Sequence, residues 1–327
     1  MTSPVIESID YLGEPAVRVH TPELSGIIVP GWGSNLIELA WRESELALLR
    51  SPESAEAYHA KPPLYGTPVL FPPNRIEDGK FTYNNRTYTF PINEEARGNH
   101  IHGVLMRAAW QLTRTEIDGA RAIVETTIVS EETPAIYDCL PHRFTVTMSF
   151  IFEGPKVEIR FAVDNRDEQP LPWGLGYHTT FRFPLAPQGD LSRCTFQLQA
   201  DRRWSLDARN LPTGEITPIA NQAQLNSGMT LGDVLLDDVF SIAADGANEA
   251  VLTDADASLA IVYRADEQFG HWVIYNADGQ SGFLCPEPYT WVTNAPNVAL
   301  PDELTGFRTL APGERASTST EIEVRRL

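Results

Sequence analysis

The sequence predicts an all-β protein, a large antiparallel β-sandwich formed as one domain over residues 1–327. Three observations carry that reading. Apolar and polar residues alternate, in segment after segment, with the period of two that a half-buried strand shows. Patterns with the 3.6-residue period of a helix are scarce. The 25 prolines and 22 glycines fall between the strand-like runs as turn punctuation instead of gathering in one linker. Many strands without alternating helices point to a sandwich or barrel. No internal repeat, low-complexity tract or step in composition marks a domain boundary.

Taken in order, Ser54 to His59 is the segment that could form a short helix. Phe81-Thr82-Tyr83 and Arg86-Thr87-Tyr88-Thr89-Phe90 flank Asn84-Asn85. Asparagine tolerates the positive φ of a tight hairpin turn, so this stretch reads as a hairpin. Arg121 to Val129 is a strand candidate. Arg143 to Phe152 alternates, Glu153-Gly154-Pro155 breaks the run, and Lys156 to Val163 alternates again, giving the clearest hairpin on the chain. Cys194 to Gln199, Ser258 to Tyr263, His271 to Tyr275, the apolar run Gly282 to Cys285 and Thr320 to Val324 are further strands.

A hydrophobic content of 42% supports a proper core and excludes disorder. The 44 acids outnumber the 25 bases, for a net charge of −19. With no block of Lys and Arg to offset it, that charge argues against nucleic acid and membrane surfaces as partners. Cys139, Cys194 and Cys285 lie far apart without C-x-x-C spacing, neither a zinc set nor a disulfide framework. Free thiols fit a reducing compartment. Met1 to Tyr11 holds acids where a signal peptide needs a basic start and an apolar run, and no stretch is long enough to span a bilayer. A soluble, cytoplasmic protein is expected, as a monomer or homodimer.

Five short stretches hold groups able to move a proton or bind a hydroxyl: Asn74-Arg75-Ile76, Ile101-His102-Gly103, Gly176-Tyr177-His178, Asp237-Asp238-Val239-Phe240 and Cys285-Pro286-Glu287-Pro288. Active sites gather such groups from distant parts of a chain. Glu287, stiffened by a proline on each side, suits a fixed general base, and a turn acid facing water is an equal alternative. His178 follows two glycines that permit close backbone approach or a bulge, although such a histidine is more often half-buried and merely satisfied. Strand alternation would put His100 and His102 on one face as a metal pair, but no third ligand is near, so no metal is expected. Arg75 after Pro72-Pro73-Asn74 could present its fork to a ligand, or pair with Glu77 or Asp78. Asp237 and Asp238 read most simply as a solvated turn. Trp173, Tyr177, Tyr289 and Trp291 lie beside the motifs as sugar-stacking faces or as core.

Together these residues resemble the aldose 1-epimerase (galactose mutarotase-like) family, in a divergent bacterial branch. The resemblance runs from Pro30-Gly31-Trp32-Gly33 to the Glu287 region and is most specific in Pro68-Val69-Leu70-Phe71-Pro72-Pro73-Asn74-Arg75-Ile76. The chain departs from the family in Val104 after His102-Gly103, where a second glycine is usual, and in Thr179-Thr180 after His178, where Pro-Tyr is common. The resemblance implies the galactose mutarotase-like supersandwich, a small-molecule sugar substrate and no cofactor. It also implies Glu287 as general base, His178 as general acid, His102 as a further catalytic residue, and Asn74, Arg75 and Asp237 as sugar-binding residues.

Interconverting anomers needs a base to take the anomeric hydroxyl proton while an acid protonates the ring oxygen. An ordinary glutamate (~4.3) and histidine (~6.5) fit these tasks at neutral pH if acidic surroundings raise His178 modestly. Three readings follow. The first is a mutarotase of a free aldohexose. The second is a hexose-6-phosphate 1-epimerase, its phosphate held by Lys80, Arg107 and Arg182. The third is a non-catalytic sugar-binding protein on the same fold.

Overall fold

Period-two alternation becomes sheet in this protein, described here by a computed structural model over residues 3–232, 234–243 and 245–327. Met1 and Thr2, the start of the segment read as lacking a signal peptide, lie outside the described residues. The clearest expected hairpin forms from Phe144–Glu153 and Lys156–Asn165, the first strand burying every second residue. The asparagine hairpin also forms: Lys80–Tyr83 pairs with Arg86–Thr89, and Asn84 and Asn85 take φ of 49° and 59°. The short helix is Ala55–Ala60, capped by Ser54, whose hydroxyl accepts from the Ala57 amide at 3.2 Å.

Two eight-stranded antiparallel sheets make the body of the sandwich. One runs, in spatial order, Gln111–Asp118, Arg121–Val129, Phe144–Glu153, Lys156–Asn165, Arg315–Arg326, Leu259–Ala265, Glu249–Asp254 and Cys194–Leu198. The other runs Pro212–Pro218, Ala200–Leu206, Asp237–Ile242, His271–Tyr275, Phe283–Tyr289, Gly176–Tyr177 and Val69–Leu70, with Phe181–Arg182 also paired to Phe283–Tyr289. The core lies between them. Tyr263 of the first sheet meets Trp272 of the second edge-on, ring centroids 5.5 Å apart, and meets Phe181 at 5.7 Å.

A third, five-stranded sheet covers Val5 to Ala47 and was not expected. It builds a small core of its own, where Trp32 stacks on Tyr58 at 4.1 Å and ties the sheet to the helix Ala55–Ala60. No helix among the described residues is long and apolar enough to cross a membrane. Cys139, Cys194 and Cys285 are free and buried.

Candidate active site

Strand register brings distant acids onto one surface. Val239 faces Val273, which faces Glu287, and two residues along the same ladder Asp237 faces Tyr275, which faces Cys285. Alternation therefore points Trp272, Ile274 and Leu284 into the core and turns Asp237, Tyr275 and Glu287 to the outer face. Asp237 and Asp238 open a strand instead of forming the turn the sequence suggested, with Asp237 exposed as expected and Asp238 half-buried. Glu287 lies within Phe283–Tyr289, not after a strand ending at Cys285. Pro286 and Pro288 are tolerated there because this strand has no partner on its other side between Leu284, which pairs with Phe181, and Tyr289, which pairs with Gly176.

The glycines before His178 permit close approach, as expected. A Cβ at Gly174 would stand 2.3 Å from the Trp291 ring, and one at Gly176 2.3 Å from the Tyr289 ring. His178 thereby reaches Glu287, with its Nε2 3.2 Å from Oε1 and both side chains almost wholly buried. His102 arrives differently from the reading of a shared strand face. The strand Asn99–Ile101 ends before it, His102 and Gly103 take φ of 68° and 64°, and the ring swings round to lie edge-on to His178 at 5.2 Å. His100 stays behind in the core beside Phe90, one ring nitrogen 2.8 Å from the Pro91 carbonyl. No histidine metal pair forms.

Arg75 pairs with neither Glu77 nor Asp78. It forks onto Glu94, Nε to Oε2 at 2.9 Å and Nη2 to Oε1 at 3.0 Å, while Arg209 takes Glu77 and Asp78. Burial opposes the charge on Glu94, but donors from Arg75 and Asn99 keep its carboxyl below the usual range. Asn74 accepts from Arg75 on its side-chain oxygen and donates to the Tyr289 hydroxyl at 3.3 Å. The sequence reading missed Glu94 altogether, and the acid run around it carried no signal beyond a solvated turn.

These groups floor a cleft of about 510 Å³, walled by Ala60 to Leu64, Arg97, Ile101 and Arg107. That volume lies in the range of small-molecule sites, ~300–1,000 Å³. All six residues expected at the site, Asn74, Arg75, His102, His178, Asp237 and Glu287, line it. Lys80 and Arg182 do not, whereas Arg107 does. Trp173, Tyr177, Tyr289 and Trp291 are buried core and stack on nothing in the cleft. The aromatic ring that does line it, Tyr275, was overlooked; it was legible in principle as the end of the expected strand His271 to Tyr275.

The aldose 1-epimerase family model matches residues 15–323. The chain belongs to the aldose 1-epimerase family. A galactose mutarotase-like protein from Clostridium acetobutylicum is 30% identical, with a TM-score of 0.94 over 99% of each chain. The uncharacterized protein YihR of Escherichia coli is 25% identical over 82% of this chain and 82% of its own length. The galactose mutarotase of Rattus norvegicus is 26% identical over 51% of this chain and 46% of its own length. The sandwich expected from the sequence is the fold of the galactose mutarotase-like protein from Clostridium acetobutylicum.

The electrostatics of this family member's floor reverse one expectation. Burial pushes Glu287 well above the ordinary carboxylate range, and the Tyr289 hydroxyl pulls the other way. Burial drives His178 down to about 4, not up. His102 is held well below its ordinary value by burial, by His178 and by Arg75. Each isolated charge is disfavoured, which favours one proton held between His178 and Glu287. The thiol of Cys285 comes within 4.8 Å of both, but burial keeps it protonated and it bonds to Thr180 at 3.4 Å, so this trio offers no thiolate to a metal at neutral pH.

Proposed function

We propose that this protein is an aldose 1-epimerase that interconverts the α and β anomers of a free aldohexose. The observation that carries the proposal is the contact of Glu287 with His178, 3.2 Å apart at the floor of a sugar-sized cleft. Ring opening starts from carboxylate and imidazolium. Glu287 takes the proton of the anomeric hydroxyl as His178 gives its own to the ring oxygen, leaving a carboxylic acid and a neutral imidazole. After rotation about C1–C2 the reverse transfers close the ring on the other face. One shared proton suffices for the whole cycle. In this reading Asp237, in register two residues from Glu287, and His102, beside His178, receive other hydroxyls of the sugar. The mammalian relatives are named for galactose, so α-galactose and α-glucose are the first substrates to test. Polarimetry on freshly dissolved samples should show relaxation well above the buffer rate on at least one; blank-like relaxation on both would reject this function.

A second reading, a sugar bearing a phosphate, is favoured by the mouth of the cleft. Lys61, Arg97 and Arg107 line it, and among the described residues neither Lys61 nor Arg107 forms an ion pair. The net charge of −19 opposes a dianion at long range. Anomerisation of glucose 6-phosphate well ahead of glucose would select this reading over the first.

A further inference from the structure

Tyr289 does something the mechanism above leaves unused. Its ring is fully buried against the backbone of Gly176, so it is closed to sugar. Its hydroxyl donates to Glu287 Oε2 and accepts from Asn74 Nδ2. With an Asn74 hydrogen already aimed at the phenol oxygen, the phenolic proton is left to turn toward the carboxylate. The Asn74 amide cannot flip without loss, because its oxygen holds the Arg75 backbone N–H at 2.9 Å and guanidinium at 3.2 Å. Arg75 is itself clamped by Glu94. One donor from each residue, Arg75 Nη1, Asn74 Nδ2 and the Tyr289 hydroxyl, points in turn toward Glu287.

We propose that Tyr289 is the positioning residue of the general base: its phenolic proton holds Glu287 as a fixed carboxylate, and Asn74 aims that proton. The proposal rests on the reading of Glu287 as the base, and it gives Asn74 a task other than the sugar contact expected from the sequence. Other ionisable groups face Glu287 as well. His178 touches it, Cys285 precedes it on its strand, Tyr275 and Asp237 flank it from neighbouring strands, Tyr263 approaches from the facing sheet and Arg75 acts from farther off. Burial and Asp237 disfavour the charged carboxylate, whereas Tyr289 and Arg75 favour it. Without the phenolic proton, the proton shared with His178 moves onto Glu287, and the pair enters the state that cannot accept the anomeric proton.

Tyr289→Phe keeps the ring and its packing. With no sugar present, the Glu287 carboxyl carbon resonance, assigned by its loss in Glu287→Gln, should release its proton about 1–2 pH units higher than in the unaltered protein. On whichever of α-glucose or α-galactose is turned over, kcat at neutral pH should fall ~10-fold or more, with KM little changed and the alkaline limb of the profile displaced upward. A merely structural role would lower kcat without moving that limb. Asn74→Gly suits the φ of 52° at that position. It should shift both readouts the same way by less, and add nothing on top of Tyr289→Phe. An unmoved carboxyl titration in Tyr289→Phe overturns the proposal, and an additive Asn74→Gly effect overturns the aiming role. If neither sugar is turned over the proposed function fails, yet the carboxyl titration still decides this inference.

Discussion

At the scale of single residues, the floor divides its labour in a way kinetics can read. Glu287→Gln keeps size and hydrogen bonding but cannot take a proton, so kcat should fall by ~10²–10⁴ with KM near normal, and His178→Asn should match it. In the unaltered enzyme the acid limb should lie near the depressed value of His178, about 4, because a second proton on the pair blocks the base. A limb near ~6.5 in steady-state profiles would show that His178 titrates as an ordinary histidine. Arg75→Ala separates two readings of that residue. Its clamp on Glu94 joins side chains only 10% and 13% exposed. Removing one partner of a buried pair costs about 3 kcal/mol or more, so urea denaturation should register the loss ahead of any change in KM. Arg75 was legible as a site residue because prolines precede it. Its role was not, because its partner lies nineteen positions away in an acidic turn that looks solvated in sequence.

At the scale of elements, close backbone approach is the condition on which the floor depends. Gly176→Ala would drive a Cβ to within 2.3 Å of the Tyr289 ring, which is fully buried and cannot step aside. Overpacking of this kind costs ~1–3 kcal/mol. Thermal denaturation should show that loss, and kcat should drop because Tyr289 and Glu287 move together. The legibility of strands followed their burial. Phe144–Glu153 buries one face and alternates, so it could be read directly. Leu24–Val29, in the N-terminal sheet, is buried on both faces and carries no alternation, which is why that strand stayed invisible. Pro286 and Pro288 cut the Glu287 strand short in sequence, since prolines argue against a central strand. His102 was placed on the wrong face because nothing in Ile101-His102-Gly103 announces two consecutive left-handed residues.

At the scale of the whole molecule, buried histidines govern the acid side of stability. His142 and His271 are held near 4 by burial, below an unfolded value of 6.5. Between those values the unfolded chain binds more protons than the folded one, so stability is full above about 6.5 and is lost as pH falls toward 4. His271 accounts for on the order of 3 kcal/mol, and His142, more open to solvent screening, for less. Urea midpoints should therefore decline steeply from pH 6.5 to 4, and His271→Gln should flatten the decline; an unchanged slope would remove His271 from this account. The sandwich itself was legible because many strands alternate, while the union of five remote stretches in one cleft depended on register, which no single segment encodes. Register also separates two kinds of heritable change. Asp237, Tyr275 and Glu287 of the floor are written in the pairing of three central strands, whereas Lys61 and Arg107 of the cationic mouth lie in connecting segments, 60–64 and 104–107. Under the proposed function, exchanging those segments, by drift or by graft, would readdress the molecule to a different sugar and leave Glu287 and its strand partners as inherited.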